Sequence, residues 1–276
     1  AGFREARGEY VLILNPDTII HKGSIEKLLS NAESHPEAGA FGCRMLNADG
    51  TYQRSAHPIP SVRSYLIAAL YLRGLVRFGG AFEADTYTRW TGTTDRAIGF
   101  QAGCCLLIRR ELLLKLRGFD ERLFHQFEDA DLCKRVWGTG YSVRFCPEAV
   151  ITHIGGQNRG RYPIPVILET HRSRYRFFFK HYGEKAVRQL RWISLAGTSL
   201  RFAGYTLLSL WQGRTRHENR LQMYRVLMQW HWRINPIRFI LAGEEPDTGC
   251  APLSPPPDML ALEPCETGGA SVISNQ

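Results

Sequence analysis

Val11, Leu12, Ile13 and Leu14 form an unbroken apolar run that ends in Asn15-Pro16-Asp17-Thr18. A run without alternation reads as a strand covered on both faces, as in a parallel sheet. Pro16 has no N–H to give a ladder, so the strand stops at Asn15. Asp17 then stands just beyond the carboxyl end of a central strand, where open α/β sheets hold their ligands. The same residues are also ordinary turn and helix-entry chemistry. Next, Ile25, Leu28 and Leu29 at helical spacing predict a helix with Ser24 as a possible cap, closed by Pro36. Residues 38–46, AGAFGCRML, predict a strand. Asn47-Ala48-Asp49-Gly50 predicts a tight turn returning through residues 51–56 as a hairpin arm. Residues 61–80 interleave Arg63, Arg73 and Arg77 with large apolar residues and predict a basic amphipathic helix, and the aperiodic residues 81–96 predict a loop.

The densest pattern lies between residues 97 and 156. Gly103 opens an apolar strand from Cys104 to Ile108, and Arg109 to Leu116 predicts a short helix ended at Gly118. A second helix follows Phe127, with Leu132, Val136 and Trp137 at helical spacing and Glu128, Asp129 and Asp131 in its first turn. Acids complement the positive end of a helix. Three adjacent ones repel unless something cationic or protonatable uses them, which points to chemistry. Tyr141 to Cys146 and Val150 to Ile154 predict two strands around Pro147, the second carrying His153 before Gly155-Gly156. A lone histidine at a strand end is ordinary structure. An Asp after one strand, an acidic helix start and a His after another can, however, converge on one crevice of a doubly wound sheet.

Composition narrows the partners. The chain has 276 residues, 44% hydrophobic and 22% charged, as a globular protein with a sizeable core does. A formal charge of +9 implies a negatively charged partner: nucleic acid, an anionic membrane or a phosphate-bearing substrate. No RNP, KH, zinc-finger or helix-turn-helix signature supports nucleic acid, and no glycine-rich phosphate loop is present. Seven cysteines, at 43, 104, 105, 133, 146, 250 and 265, have no zinc or disulfide spacing and read as reduced, mostly buried thiols of a cytoplasmic protein. The chain starts at Ala1 and enters a core strand with no signal-peptide pattern, which suggests an N-terminally incomplete chain.

The stretches ARGEYVLILNPDT and GFQAGCCLLIRRELLLKLRGFDERLFHQFEDADLCKRVWGTGYSVRFCPEAVITHIGG, in that order, resemble the inverting family-two nucleotide-sugar glycosyltransferases. Within that family the resemblance is nearest to bacterial rhamnosyltransferases of surface-polysaccharide synthesis. It implies a GT-A fold, an α/β architecture with a mixed, mostly parallel sheet. It also implies that about two βα units, roughly 80 residues carrying the base-binding motifs, would precede Ala1. The family's Asp-x-Asp metal motif stands here as Asn15-Pro16-Asp17, so only Asp17 carries over as a charged ligand, with the Asn15 amide beside it. His153 resembles the strand-end histidine near the metal or diphosphate. Mg²⁺ or Mn²⁺ is the implied cofactor, because a diphosphate leaves poorly until its charge is neutralised. A nitrogen ligand tilts the choice toward Mn²⁺. Asp129 is the implied base for the acceptor hydroxyl, Glu128 orients the acceptor or tunes the base, and the Gly103 strand forms a pocket wall. The partners implied are a nucleotide-sugar donor, dTDP-rhamnose or a UDP- or GDP-sugar, and a saccharide or lipid-linked acceptor.

Beyond residue 160 the pattern changes. From Pro165 to Trp232 the text is helical and dense in Arg and aromatics, and Trp192 to Trp211 has 20 residues, near a membrane crossing. Arg201, two glycines and several hydroxyls argue against a crossing and for interfacial helices on an anionic cytoplasmic leaflet. A helical cap with a solvated basic face is the alternative. From Glu244 onward, Pro, Gly and Ser predict disorder. The expected organisation is thus a catalytic domain over 1–160, a basic helical extension over 161–242 and a tail over 243–276. Two rival functions remain: an inactive module that docks on membrane or nucleic acid, and a metal-dependent nucleotidyltransferase with ions at Asp17 and Asp129.

Overall fold

A computed structural model describes residues 2–70, 72, 83–87, 89–154, 164–213 and 215–246. In chain order the elements are α1 (Gly2–Glu5), β1 (Tyr10–Leu14), β2 (Thr18–Ile20), α2 (Ser24–Ser34), β3 (Ala38–Leu46), β4 (Tyr52–Gln53), β5 (Ala56–His57) and α3 (Val62–Ala69). They continue as α4 (Glu83–Thr86), β6 (Arg96–Ala97), β7 (Phe100–Gln101), β8 (Cys105–Arg109), α5 (Arg110–Lys115), α6 (Glu128–Gly138) and β9 (Ser142–His153). Three helices close the described chain: α7 (Ile164–Gln212), α8 (Glu218–Arg233) and α9 (Pro236–Ala242).

The sheet is mixed, in the order β1-β8-β3-β9-β2, with β4 and β6 attached to β3 and β9. Helices cover both faces. Leu28 and Ala32 of α2 pack with Phe41, Leu107 and Ile151 on one side. Leu132, Cys133 and Val136 of α6 pack with Ala40, Leu106, Ile108, Val143 and Phe145 on the other. Neighbouring residues of one strand thus enter opposite cores, which is why the strands read as unbroken apolar runs. Two expectations change. Only β3 and β9 run parallel among the described pairs, while β1–β8, β3–β8 and β2–β9 are antiparallel. An apolar run reports that both faces are covered; it does not report strand direction. β1 is also a terminal strand of the sheet, with β8 as its one described neighbour, so Tyr10 to Ile13 are half-buried and Leu14 is exposed.

Smaller corrections follow the same physics. Gly23, at φ +80°, caps α2, and Ser24 sits inside the helix, its hydroxyl donating to Val150 O at 2.7 Å and accepting from Val150 N at 3.0 Å. The two strands around Pro147 are one strand, with residues 147–149 looped out between Cys146, opposite Cys43, and Val150, opposite Arg44. A bulge tolerates a residue without an N–H. The helix predicted over 61–80 is seen over Val62–Ala69, and Arg73 and Arg77 lie outside the described residues. The loop predicted over 81–96 contains the short helix α4.

The C-terminal helices share a core with the start of α6: Leu168, Tyr175, Phe177, Phe178, Leu190, Leu227 and Trp230 close over Leu123, Phe127 and Ala130. α7 breaks at Gly183, whose φ of 73° and ψ of −174° suit glycine. Its first half is no membrane face. Arg172 pairs with Glu169 and Glu245, Arg176 pairs with Glu169, and Lys180 pairs with Asp120 and Asp131. Glu245, expected in a disordered tail, also accepts from Trp230 Nε1 at 2.6 Å. Buried Arg172 needs a carboxylate, and that need fixes the chain as far as Glu245. Gly155, Gly156 and residues 247–276 lie outside the described residues. No described helix is long and apolar enough to cross a membrane, Trp192–Trp211 included.

Candidate active site

β1 and β2 occupy opposite ends of the strand order, yet Asn15-Pro16-Asp17 alone joins them. The corner they make therefore gathers the start of β8 and the end of β9. Asn15 N donates to Cys104 O at 3.1 Å, and Ile154 N donates to Asp17 O at 2.9 Å. These two bonds put the exposed Asp17 carboxylate beside the His153 ring, with Oδ2 to Nε2 at 3.3 Å. Gln53 Oε1, 2.9 Å from His153 Nδ1, holds the other ring nitrogen, so Nε2 is turned toward Asp17. The Cys104 thiol lies 3.5 Å from both His153 Nε2 and Asn15 Nδ2. Burial, then the charges of Asp17 and Asp129, push that thiol up to about 11, so it stays a neutral spacer between two acids.

The second acid comes from α6. Gln126 (φ 63°) and Phe127 (φ 73°) precede the helix in the left-handed region, a costly pair of conformations for residues with side chains. They turn the chain so that Asp129 meets Gly103: Asp129 Oδ2 accepts from Gly103 N at 3.0 Å and Oδ1 accepts from Ala130 N at 2.7 Å. Burial raises the Asp129 carboxyl to about 6 against the pull of those two donors. Burial, reinforced by the Asp129 charge, raises Glu128 to about 7, and its Oε2 is buried with no hydrogen-bond partner. A side chain added at Gly103 would meet Asp129 Cβ at 3.6 Å, an ordinary contact. A Cβ would therefore fit, and the neighbours of residue 103 do not demand a glycine.

Asn15, Asp17, Gly103, Asp129 and His153 therefore lie around Cys104, and Glu128 adjoins Asp129. Asp131, third of the acids at the helix start, faces elsewhere: it is fully buried against Arg135, Lys180 and His181, each at 2.7 Å. Cys104 and Gln53 are site residues that the sequence did not single out. A cysteine beside a second cysteine in an apolar strand, and a glutamine in a hairpin arm, carry no local signal.

Among the described residues no three His, Cys, Asp or Glu side chains are arranged to hold a metal by themselves. Asp17 Oδ2 and His153 Nε2 fit a hard divalent cation as a partial set, the remainder being diphosphate and water oxygens, as is usual for Mg²⁺ at nucleotide sites.

Residues 1–189 match the model of a family described as glycosyltransferase like family 2. The chain is 30% identical over 214 residues to the N-acetylglucosaminyl-diphospho-decaprenol L-rhamnosyltransferase of Mycobacterium tuberculosis strain H37Rv, covering 75% of this chain and 67% of that protein. It is 27% identical over 145 residues to rhamnosyltransferase WbbL of Escherichia coli strain K12, covering 52% of each. A mannosyltransferase from Pyrobaculum calidifontis, solved with GDP-Man and Mn²⁺, matches at TM-score 0.37 and 16% identity over 83% of this chain and 64% of that one. The family match takes in every residue of the corner and of the α6 turn, and with that coverage the chain belongs to the family-two glycosyltransferases.

Proposed function

We propose that this chain transfers a sugar, rhamnose in the first instance, from a nucleoside diphosphate to a hydroxyl of a lipid-linked saccharide, with inversion. The observation that supports the reading is the pairing of a proton-accepting carboxylate, Asp129, with the Asp17–His153 corner across Cys104. The acceptor oxygen attacks the anomeric carbon, the bond from that carbon to the diphosphate oxygen breaks on the opposite face, and the acceptor proton passes to Asp129. With a value of about 6, Asp129 is ionised at neutral pH and still basic enough to take a proton as the new bond forms. Glu128, with its buried and unpartnered Oε2, is placed to receive an acceptor hydroxyl. Asp17 and His153 would hold Mg²⁺ or Mn²⁺ on the donor diphosphate; when bound, the ion supplies charge neutralisation of the leaving group. The names of the mycobacterial and Escherichia coli relatives specify rhamnosyl transfer, and the mycobacterial name adds a diphospho-decaprenol acceptor.

The test is transfer from dTDP-rhamnose to polyprenyl-diphospho-N-acetylglucosamine with Mn²⁺ or Mg²⁺ present. Asp129→Asn should lower kcat by about a hundredfold or more with donor affinity nearly unchanged, as loss of a base requires. Full activity in that variant would overturn the assignment of the base, and transfer from a UDP-sugar alone would overturn that of the donor.

A further inference from the structure

Past the break at Gly183, α7 presents Trp192, Ala196, Leu200, Ala203, Leu207 and Trp211 to solvent. Their spacing of three and four residues places them on one face of the helix. Over those 19 intervals the stripe is about 29 Å long. It carries no charge, and its exposure is large where the side chains are large: 67% at Leu207 and 84% at Trp211. The opposite side of the same helix is committed: Gly197 packs against Ala69, and Arg201 donates to the carbonyls of Ala68 and Ala69. Leu66 and Leu70, flanking that contact on and just beyond α3, are exposed as well.

The charge is concentrated in the same place. Between Glu184 and Gly243 the sequence holds ten Arg and Lys against two Glu, which is +8 of the chain's +9. Lys185, Arg188, Arg216, Arg220, Arg225 and Arg233 are exposed. A shallow groove of about 490 Å³, lined by Glu184, Lys185, Arg188, Gln189 and Trp192, adjoins one end of the stripe. The charge decides among occupants. A second copy of the chain meeting this face through a two-fold axis would set cations against cations, since the exposed acids nearby are Glu184, Glu218 and Glu244, the first within reach of Arg188 and the last of Arg238. An anionic bilayer surface meets both requirements, apolar depth for the stripe and phosphates for the cations, and tryptophans suit the headgroup level.

We propose that the second half of α7, with the basic groups of α8 around it, is a monotopic membrane-docking face. It lies along an anionic leaflet with Trp192, Leu200, Leu207 and Trp211 in the interface. The helix rests in the plane of the surface, since it is not apolar enough to cross. The proposal is independent of the transfer chemistry, so Asp129→Asn should bind vesicles like the unaltered chain.

The experiment is sedimentation of the full chain with phosphatidylcholine vesicles, with and without phosphatidylglycerol, together with light scattering of the lipid-free protein. The chain should pellet with the anionic vesicles and be released as salt rises toward about 0.5 M, where screening shortens the reach of charge. Leu207→Ser with Trp211→Ser should weaken binding about tenfold or more, by removing the buried apolar area, without altering the circular dichroism spectrum. Lys185→Glu with Arg216→Glu should weaken it on anionic vesicles and leave its residue on neutral ones unchanged. No pelleting, or pelleting indifferent to both pairs of substitutions, would overturn the proposal. So would a dimer dissolved by Leu207→Ser with Trp211→Ser, or a lipid-free chain in which Trp211 is shielded from iodide by residues 247–276.

Discussion

Glu128 and Asp129 begin the same helical turn that holds Asp131, and the two sides of that turn treat a carboxylate in opposite ways. Toward Gly103, burial is offset by little more than backbone donors, so Asp129 and Glu128 are held up near 6 and 7. Toward α7, burial is outweighed by His181, Arg135 and Lys180, which hold Asp131 below its ordinary range. Asp120, bound by Arg122 and the same Lys180, is held lower still. An acid left without cations on one side of a helix and an acid given three on the other cannot serve the same purpose. The first is kept reactive at a cost in stability, and the second fastens the helical extension to the catalytic layer.

Asp131→Asn should break this contrast most severely. Lys180, His181 and Arg135 would lose the carboxylate that neutralises them in a buried setting, and stability should fall by about 3 kcal/mol, read as a lower urea midpoint. The fraction that remains folded should keep kcat within about twofold. Asp129→Asn should do the reverse, with kcat falling steeply and the midpoint unchanged or raised. If both variants lose stability alike, the division of the turn into a reactive and a fastening side is wrong.

The fold was legible wherever coverage by helices sets the pattern, and illegible where strand direction does. The apolar runs at Val11–Leu14 and Cys104–Ile108 predict strands, and the structure has strands at Tyr10–Leu14 and Cys105–Arg109. Their antiparallel pairing depends on how the long connection between them returns, and neither the amphipathic pattern of 61–80 nor the aperiodic stretch 81–96 reports a strand direction. The candidate site was legible as single residues because Asp, Glu and His are conspicuous at element ends. Its connections were not: Gln53 and Cys104 join the corner through contacts across 100 and 49 positions. The role of Asp131 was misread for the same reason, since its partners Lys180 and His181 belong to a helix some fifty residues on. The aromatic-rich stretch 171–183 predicts a membrane face on composition; burial of Phe177 and Phe178 and pairing of Arg172 and Arg176 with Glu169 assign it to the core.

A smaller effect tests the corner opposite Asp129. Asp17→Ala should weaken Mn²⁺-dependent binding of the nucleoside diphosphate by about a hundredfold and His153→Ala by about tenfold, since the carboxylate brings charge as well as a ligand atom. Titration calorimetry with and without EDTA reads both. Gln53→Ala should act in the same direction as His153→Ala and more weakly, because it frees the ring without removing it. Donor binding that ignores EDTA in the unaltered chain and keeps its affinity in all three variants would remove the metal from the proposal.

The mildest test is on Glu128, and its sign separates the two sides of the turn again. Its folded value, about 7, exceeds the ordinary 4.5, so the folded state holds the proton more tightly than the unfolded chain does. The favourable contribution is then fully present below the unfolded value and is lost as pH rises through the folded one. Glu128→Gln, which cannot ionise, escapes that loss. It should stabilise the protein by about 1 kcal/mol at pH 8 and leave stability near pH 4 unchanged. Asp131, whose folded value is lowered, gives the opposite slope: its contribution is present above the unfolded value and lost as pH falls through the folded one, so Asp131→Asn should cost most at pH 8 and least in acid. Urea midpoints of the two variants taken across that range should diverge as pH rises. Parallel curves would mean that Glu128 finds a cation or solvent that relieves its burial, and with that the case for a carboxylate kept reactive beside Asp129 would fail.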